Sequence, residues 1–112
     1  MKQPLISLIT VVLNDERNIE KTILSVLEQN YKNIQYIVID GGSKDDTKDL
    51  INKYVNRIAV FKSEKDNGIY DAFNKGLELA NGDLIGFVNS GDLLTKDSLT
   101  ILEKYYQRNQ DV

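Results

Sequence analysis

Three short segments of the chain are apolar on both faces, namely residues 5–13, 34–39 and 84–88. Strands of this kind are typical of parallel sheets, whose crossover helices cover both sides. A fourth and shorter segment, residues 57–61, also has the composition of a strand. Apolar residues between these segments recur at the spacing of amphipathic helices. The alternation predicts a Rossmann-like α/β fold, with a parallel sheet and helices on both faces.

Acidic and amide residues follow three of the predicted strands. Asn14 follows the first strand, Asp40 ends the second, and Asp92 lies in the turn after the fourth. If the fourth strand lies beside the first, the strand order is 3-2-1-4 and the direction of winding reverses between them. Ligands of open α/β sheets bind at such a switch point, outside the carboxyl ends of the strands. We therefore expect these three residues to converge, one carboxylate binding a base or ribose and another a divalent cation at a diphosphate.

The same residues also have structural interpretations. Asp40 precedes two glycines and fits an Asx-type turn, whereas Asn14 and Asp92 are good helix caps. Ser43, followed three residues later by an aspartate, predicts a capping box at the start of the second helix. Lys75 on the third helix is expected to be a solvated charge. The joint placement of polar residues at successive strand ends favours the functional interpretation.

The composition excludes several kinds of site. The 112 residues fit one domain, and they include neither cysteine nor histidine. Disulfides, Ser-His-Asp triads and thiolate or imidazole metal sites are therefore excluded, and any metal must have oxygen ligands. The net charge of −3 offers no attraction for nucleic acid or an anionic membrane. Residues 1–13 are too short and too mixed for a signal peptide or a membrane span, so the default expectation is a cytoplasmic protein.

Five motifs follow one another along the chain. They are Thr-Val-Val-Leu-Asn at residues 10–14, Gln-Asn-Tyr at 29–31, Val-Ile-Asp-Gly-Gly-Ser at 38–43 with Asp-Thr at 46–47, Asp-Asn-Gly-Ile-Tyr-Asp-Ala at 66–72 with Asn-Lys-Gly at 74–76, and Gly-Asp at 82–83 leading to Asn-Ser-Gly-Asp at 89–92. In this order they resemble the amino-terminal, nucleotide-sugar-binding half of family-2 glycosyltransferases of the GT-A fold. The resemblance covers nearly the whole chain, so residues 1–112 are expected to be the donor-binding part of a glycosyltransferase domain.

The resemblance implies a function and a set of site residues. The donor nucleotide would be bound by Thr10, Asn14, Asp40, Asp66 and Gly68. Asp92 would be the protein ligand for Mg²⁺ or Mn²⁺ at the diphosphate. The implied reaction is a direct displacement, with inversion, on a nucleotide-diphosphate sugar, with UDP favoured as the nucleotide and the metal stabilising the departing diphosphate. The acceptor would be a glycan or a lipid-linked sugar in surface polysaccharide assembly, at the inner membrane face through parts outside this chain.

Three departures from the family pattern bear on these expectations. Gly41 stands where many relatives have a second aspartate, so one base contact is expected to be missing. Gly91 stands where an aspartate is common in the metal motif, so weaker metal binding is expected. The catalytic base of the family lies with the acceptor site in the carboxyl-terminal half. We therefore expect a truncated chain with no catalytic residue of its own, which is inactive in transfer by itself.

The ends of the predicted fold carry two further expectations. Residues 109–112 have the character of the approach to another strand. The apolar fourth strand would lie at the edge of the sheet, where an unpaired strand promotes association. This edge, or the last helix, is expected to support a homodimer.

Three other classes of function stay open at the level of sequence. The two glycine substitutions slightly favour a degenerate, non-catalytic interaction domain. The length and the α/β alternation also fit a receiver-like signalling domain, with Asp15 and Glu16 resembling its acidic pair. However, a receiver carries its phosphoacceptor aspartate after the third strand, where this chain has lysine and serine. A dinucleotide-binding dehydrogenase domain needs a glycine-rich turn after the first strand, and that turn is missing.

Overall fold

The computed structural model describes residues 3–109, in which strands and helices alternate. The strands are β1 (Ile6–Val12), β2 (Ile34–Asp40), β3 (Val60–Ser63) and β4 (Leu84–Phe87). The helices are α1 (Ile19–Leu27), α2 (Thr47–Asn52), α3 (Ile69–Leu79) and α4 (Ser98–Asn109), and a 3₁₀ turn at Val55–Arg57 precedes β3. Each strand is therefore followed by a helix, as the apolar pattern predicts.

The four strands form one parallel sheet in the order β3-β2-β1-β4, which confirms the predicted topology. All seven residues of β1 are buried, as expected for the central strand of a sheet covered on both faces. The register pairs Val12 with Asp40, so β1 and β2 end side by side. Because the chain winds in opposite directions from β1 and from β4, the loops that follow these strands diverge and leave a crevice.

Alternate residues of β1 face two separate cores. On one face, Ile6, Leu8 and Val12 pack with buried side chains of α1, α2 and α4. On the other face, Ile9 and Val11 pack with residues of β2 and α3. A Cβ added at Gly76 of α3 would lie 2.5 Å from Cγ2 of Ile9, so glycine is needed there for α3 to approach the sheet. The two cores hold the strand ends, and hence the crevice, in fixed positions.

Several predicted boundaries differ from the structure. The predicted capping box is wrong, because α2 begins at Thr47 and its N-cap residue, Asp46, makes no side-chain cap bond. β3 begins at Val60, three residues later than predicted. Residues 109–112 were predicted to approach another strand. Asn109 instead ends α4, and residues 110–112 lie outside the described residues.

No helix within residues 3–109 has the length and apolar character needed to cross a membrane.

Candidate functional site

A cleft of about 350 Å³ opens at the carboxyl ends of β1 and β4, at the switch point of the sheet. A cleft of this volume is within the usual range for small-molecule sites. It is lined by Val11, Val12, Leu13, Asn14, Asp15, Asp66, Gly68, Ile69, Ala72, Asn89 and Ser90. Three of the predicted nucleotide-binding residues, Asn14, Asp66 and Gly68, are therefore brought together in its wall.

Asn14 links the loops that follow β1 and β2. Its φ of 49° lies in the left-handed region, which asparagine adopts more readily than most residues. Its backbone N–H donates to Oγ of Ser43 over 2.8 Å, and its Oδ1 accepts from the backbone N–H of Lys44 over 2.7 Å. These two bonds fix one wall of the cleft.

Asp15 connects the same loops to the segment after β4. Its backbone N–H donates to Oγ1 of Thr47 over 3.0 Å. Its Oδ2 accepts from Oγ of Ser90 over 2.7 Å, and its Oδ1 accepts from the Asn18 amide over 3.0 Å. Asp15 is not among the site residues predicted from the sequence, although its position directly after Asn14 was an available signal.

Asp40 lies beneath the cleft rather than in its lining. Its side chain is fully buried, and its Oδ2 accepts from the N–H of Gly42 (3.1 Å), the N–H of Ser43 (2.9 Å) and Oγ of Ser63 (2.8 Å). The Ser43 hydroxyl also donates to Oδ1. The Asx-type turn is therefore present, and it explains why Ser43 does not cap α2. Direct contact between Asp40 and a nucleoside stays a prediction, because the Asp40 side chain is fully buried.

Thr10 is likewise fully buried below the cleft. Its Oγ1 donates to the carbonyl oxygen of Val88 over 2.6 Å and shares a 2.8 Å hydrogen bond with the Tyr36 hydroxyl. Burial raises the pKa of Tyr36 well above its ordinary value, so this phenol stays neutral. Thr10 thus links β1 to β2 and to the residue that follows β4. Its contact with a nucleotide stays a prediction.

The loop between β3 and α3, residues 64–68, forms the opposite wall and is held by Lys75. The ammonium lies 3.2 Å from Oε1 of Glu64 and 3.6 Å from Oδ2 of Asp71, and it donates to the carbonyl oxygen of Lys65 over 3.4 Å. The Lys75 side chain is only 16% exposed, so its interpretation as a solvated charge is wrong.

The pKa values of this cluster follow from its ion pairs. The hydrogen bond from Lys75 is the main reason that the pKa of Glu64 is lowered. The hydrogen bond from the backbone N–H of Asn67 is the main reason that the pKa of Asp71 is lowered. Burial disfavours the charged form of Lys75, but Glu64 and Asp71 together raise its pKa. All three groups are therefore charged near neutral pH, and the loop is held by their attraction.

Asp92 lies in the turn after β4 and is exposed. Its Oδ2 accepts from the backbone N–H of Asn89 over 3.1 Å, and its carbonyl oxygen accepts from Oγ1 of Thr22 over 2.9 Å. Asp92 is not part of the cleft lining, whereas Asn89 is. Oδ1 of Asn89 is buried without a hydrogen-bond partner among the described residues, and such an acceptor is a candidate contact for a ligand or an ion.

The available oxygen atoms limit the kind of metal site that can form here. Within residues 3–109, no three His, Cys, Asp or Glu side chains are grouped so as to hold a metal ion. Mg²⁺ and Mn²⁺ prefer oxygen ligands, and Mg²⁺ usually binds one or two carboxylates together with substrate phosphates and water. Asp92, and Asn89 nearby, fit a metal of that kind, which takes most of its ligands from a bound diphosphate.

Known proteins resemble this chain in both sequence and fold. The family described as glycosyl transferase family 2 matches residues 7–112. The UDP-Glc:α-D-GlcNAc-diphosphoundecaprenol β-1,3-glucosyltransferase WfaP of Escherichia coli is 40% identical over 89 residues, which cover 79% of this chain and 36% of that protein. The chain spans only about a third to two fifths of the length of the curated relatives that it matches.

Two solved structures extend the comparison to ligand complexes. S. aureus TarS 1–349 in complex with UDP-GlcNAc has a TM-score of 0.84 and 25% identity, and the match covers 92% of this chain and 31% of that chain. Glucosyl-3-phosphoglycerate synthase from Mycobacterium tuberculosis, in complex with Mn²⁺, UDP and phosphoglyceric acid, has a TM-score of 0.63 and 27% identity. That match covers 78% of this chain and 33% of the synthase chain.

Proposed function

This chain belongs to glycosyltransferase family 2, and from that membership we propose that it is the donor-binding part of an enzyme that transfers a sugar from a nucleotide-diphosphate sugar. The observation that carries the proposal is the cleft at the switch point, whose lining combines carboxylate, amide and hydroxyl groups with apolar side chains. UDP is the nucleotide that we favour, because WfaP is named for a UDP-linked donor and TarS binds UDP-GlcNAc.

In the proposed complex the nucleoside occupies the cleft between two walls. Asn14 fixes the wall formed by the loops after β1 and β2, while Asp66 and Gly68 form the wall that Lys75 holds. Asp40 supports the first wall by holding the turn beneath it. These residues bind and orient the donor, and none of them is assigned a role in moving a proton.

We assign the divalent metal, Mg²⁺ or Mn²⁺, to Asp92. When bound, such an ion supplies positive charge that stabilises the leaving nucleoside diphosphate. The bond from Asn89 orients one oxygen of Asp92, and the other accepts no hydrogen bond within residues 3–109. The Mn²⁺ complex of the mycobacterial synthase supports a metal of this class.

The acceptor and the catalytic base are proposed to lie outside this chain. The chain spans only a third to two fifths of its relatives' length, which leaves room for an acceptor half. We propose a single displacement with inversion, and a glycan or lipid-linked acceptor in surface polysaccharide assembly. The GlcNAc-diphosphoundecaprenol in the name of WfaP supports a lipid-linked acceptor. By itself this chain should bind the donor without turnover, and its cytoplasmic location stays a prediction.

Calorimetric titration of the chain with UDP, with and without Mn²⁺, tests the donor site. We expect binding that Mn²⁺ strengthens, and we expect Asp92→Ala to weaken the metal-dependent part by about tenfold, the usual effect of losing a charged contact. Asp49→Ala, which removes an exposed acid of α2 outside the cleft, should bind as the parent does. Unchanged binding by Asp92→Ala would contradict the metal assignment. No binding of any nucleotide by the parent would instead favour a degenerate interaction domain.

A further inference from the structure

A buried polar face of α1 supports the segment that joins β4 to α4. Thr22, Ser25 and Gln29 are spaced three and four residues apart, so they lie along one side of the helix and of the turn that follows it. Thr22 and Gln29 are fully buried, and Ser25 is half-buried. Burying polar side chains is costly unless they are hydrogen-bonded, so their partners indicate what they do.

Two of these side chains bond to backbone groups of that segment and of the start of α4. Nε2 of Gln29 donates to the carbonyl oxygen of Thr95 over 2.6 Å, and its Oε1 accepts from the N–H of Leu99 over 3.1 Å. Oγ of Ser25 accepts from the N–H of Leu94 over 3.2 Å. The polar face of α1 therefore holds the chain that follows the turn at Asp92.

Thr22 contacts the turn itself. Its Oγ1 accepts from the N–H of Gly91 over 3.0 Å and donates to the carbonyl oxygen of Asp92 over 2.9 Å. A hydroxyl within a helix often bonds a carbonyl oxygen one turn earlier, as Oγ of Ser25 does with that of Thr22 over 2.8 Å. Both bonds of the Thr22 hydroxyl instead go to another segment, where they hold the backbone before Gly91 and after Asp92.

The backbone of this turn needs such support. Gly91 has a φ of 98°, which lies in the left-handed region that favours glycine. Fixing a glycine costs more conformational entropy than fixing any other residue. The preceding residue, Ser90, is held by the sheet, since its N–H donates to the carbonyl oxygen of Val11 over 3.2 Å. Thr22 extends that anchoring across Gly91 to Asp92.

We propose that Thr22 is a positioning residue for the metal site, because it fixes the backbone that carries the Asp92 carboxylate before the metal and the diphosphate bind. This inference rests on the proposed function, in which Asp92 is a ligand of Mg²⁺ or Mn²⁺. An ion with few protein ligands depends on how firmly each is held, since ordering a ligand during binding lowers the affinity. Thr22 does not line the cleft and acts through the turn.

Isosteric replacement of Thr22 separates positioning from stability. Calorimetry gives the UDP affinity with and without Mn²⁺, and the ratio of the two is the gain that the metal provides. Thr22→Val should reduce that gain about fivefold, the fold-change that one neutral hydrogen bond supplies, and should leave the affinity without metal unchanged. Thr22→Ser keeps the hydroxyl and should restore the gain. Ile23→Val, at a neighbouring core position, should lower the melting temperature without changing the gain.

Amide hydrogen exchange in the metal-free chain tests the contact itself. In the parent, the N–H of Gly91 should be protected by its bond to Thr22. Thr22→Val should abolish that protection, whereas the N–H of Val88, which donates to the carbonyl oxygen of Ile9, should keep its own. In Thr22→Ser the N–H of Gly91 should exchange as it does in the parent.

The outcomes distinguish this inference from the proposed function. If Thr22→Val keeps the full gain from Mn²⁺, or keeps the protection of Gly91, Thr22 has only a structural role and the inference is wrong, while the donor site stands. A parent that gains nothing from Mn²⁺ would overturn the metal assignment and this inference together, and one that binds no nucleotide would overturn the proposed function as well. Should Thr22→Val not fold, Thr22→Ala removes the same hydroxyl and is judged by the same two measurements.

Discussion

At the scale of single residues, burial decides what each carboxylate can do. A buried charge is costly unless hydrogen bonds replace its lost hydration, and Asp40 meets that condition with donors from Gly42, Ser43 and Ser63. A carboxylate with all its acceptor positions engaged stabilises a turn but has little left for a ligand. Asp66 faces the cleft with one weak bond, and so the two acids have separate roles.

The sequence could place these acids along the chain, but not their orientation. Strand ends are visible in the apolar pattern, which is why Asn14 and Asp40 were correctly located after β1 and at the end of β2. The hydrogen bonding of Asp40 depends on Ser63, and the position of the Asp66 carboxylate depends on the lack of a side chain at Gly41. Both are contacts between segments more than twenty residues apart, and no local pattern encodes them.

Asn14 gives a residue-scale prediction. Asn14→Ala should lower the free energy of unfolding by about 1–2 kcal/mol, because alanine tolerates the left-handed conformation less well and cannot accept the bond from Lys44. Asn14→Gly should cost less, since glycine removes the backbone strain and loses only that bond. Urea unfolding of the three proteins measures both values. A glycine variant less stable than the alanine variant would contradict the role of φ at this position.

At the scale of elements, the position of a helix and the anchoring of a loop both depend on long-range partners. The predicted capping box is wrong because the Ser43 hydroxyl donates to Asp40 instead of capping a helix, and α2 begins only at Thr47. Lys75 was expected to be a solvated charge, but Glu64 of the loop and Asp71 of α3 both pair with it. The apolar periodicity therefore predicted which elements exist better than it predicted where they begin.

The Lys75 cluster predicts how loop stability depends on pH. Glu64 and Asp71 have lowered pKa values in the folded protein, so their contribution is complete above their ordinary values of 4.5 and 3.8 and is lost as pH falls through the lower folded values. The pKa of Lys75 is raised, so its own contribution is lost only as pH rises above 10.5. The loop should therefore keep its full stabilisation from weakly acidic to weakly alkaline pH.

A substitution of Lys75 measures this contribution. Lys75→Met should lower the free energy of unfolding near pH 7, and the difference from the parent should shrink as pH falls through the lowered pKa values of Glu64 and Asp71, because the acids then lose their charge. Lys48→Met, which removes an exposed lysine of α2 with no ion pair within residues 3–109, should show a smaller effect. A Lys75 difference that stays constant across this pH range would argue against the ion pairs.

At the scale of the whole molecule, β4 leaves an apolar edge on the described part of the chain. Ile85 and Phe87 of β4 are 47% and 42% exposed, and Phe73 of α3 packs against Phe87 with ring centroids 4.8 Å apart. The homodimer expected from this edge stays a prediction. The topology itself followed from the sequence, because strands that are apolar on both faces and alternate with helices have few other arrangements.

We propose that the switch-point cleft binds a nucleoside diphosphate, and a map of amide NMR shifts during titration with UDP and Mg²⁺ tests this proposal. The largest changes should fall on both walls of the cleft, at Asn14, Asp15, Gly68 and Ser90, and on the turn that holds Asp92, with little change elsewhere. Shift changes concentrated instead at the smaller cavity beside Arg57, or no changes at all, would contradict the account.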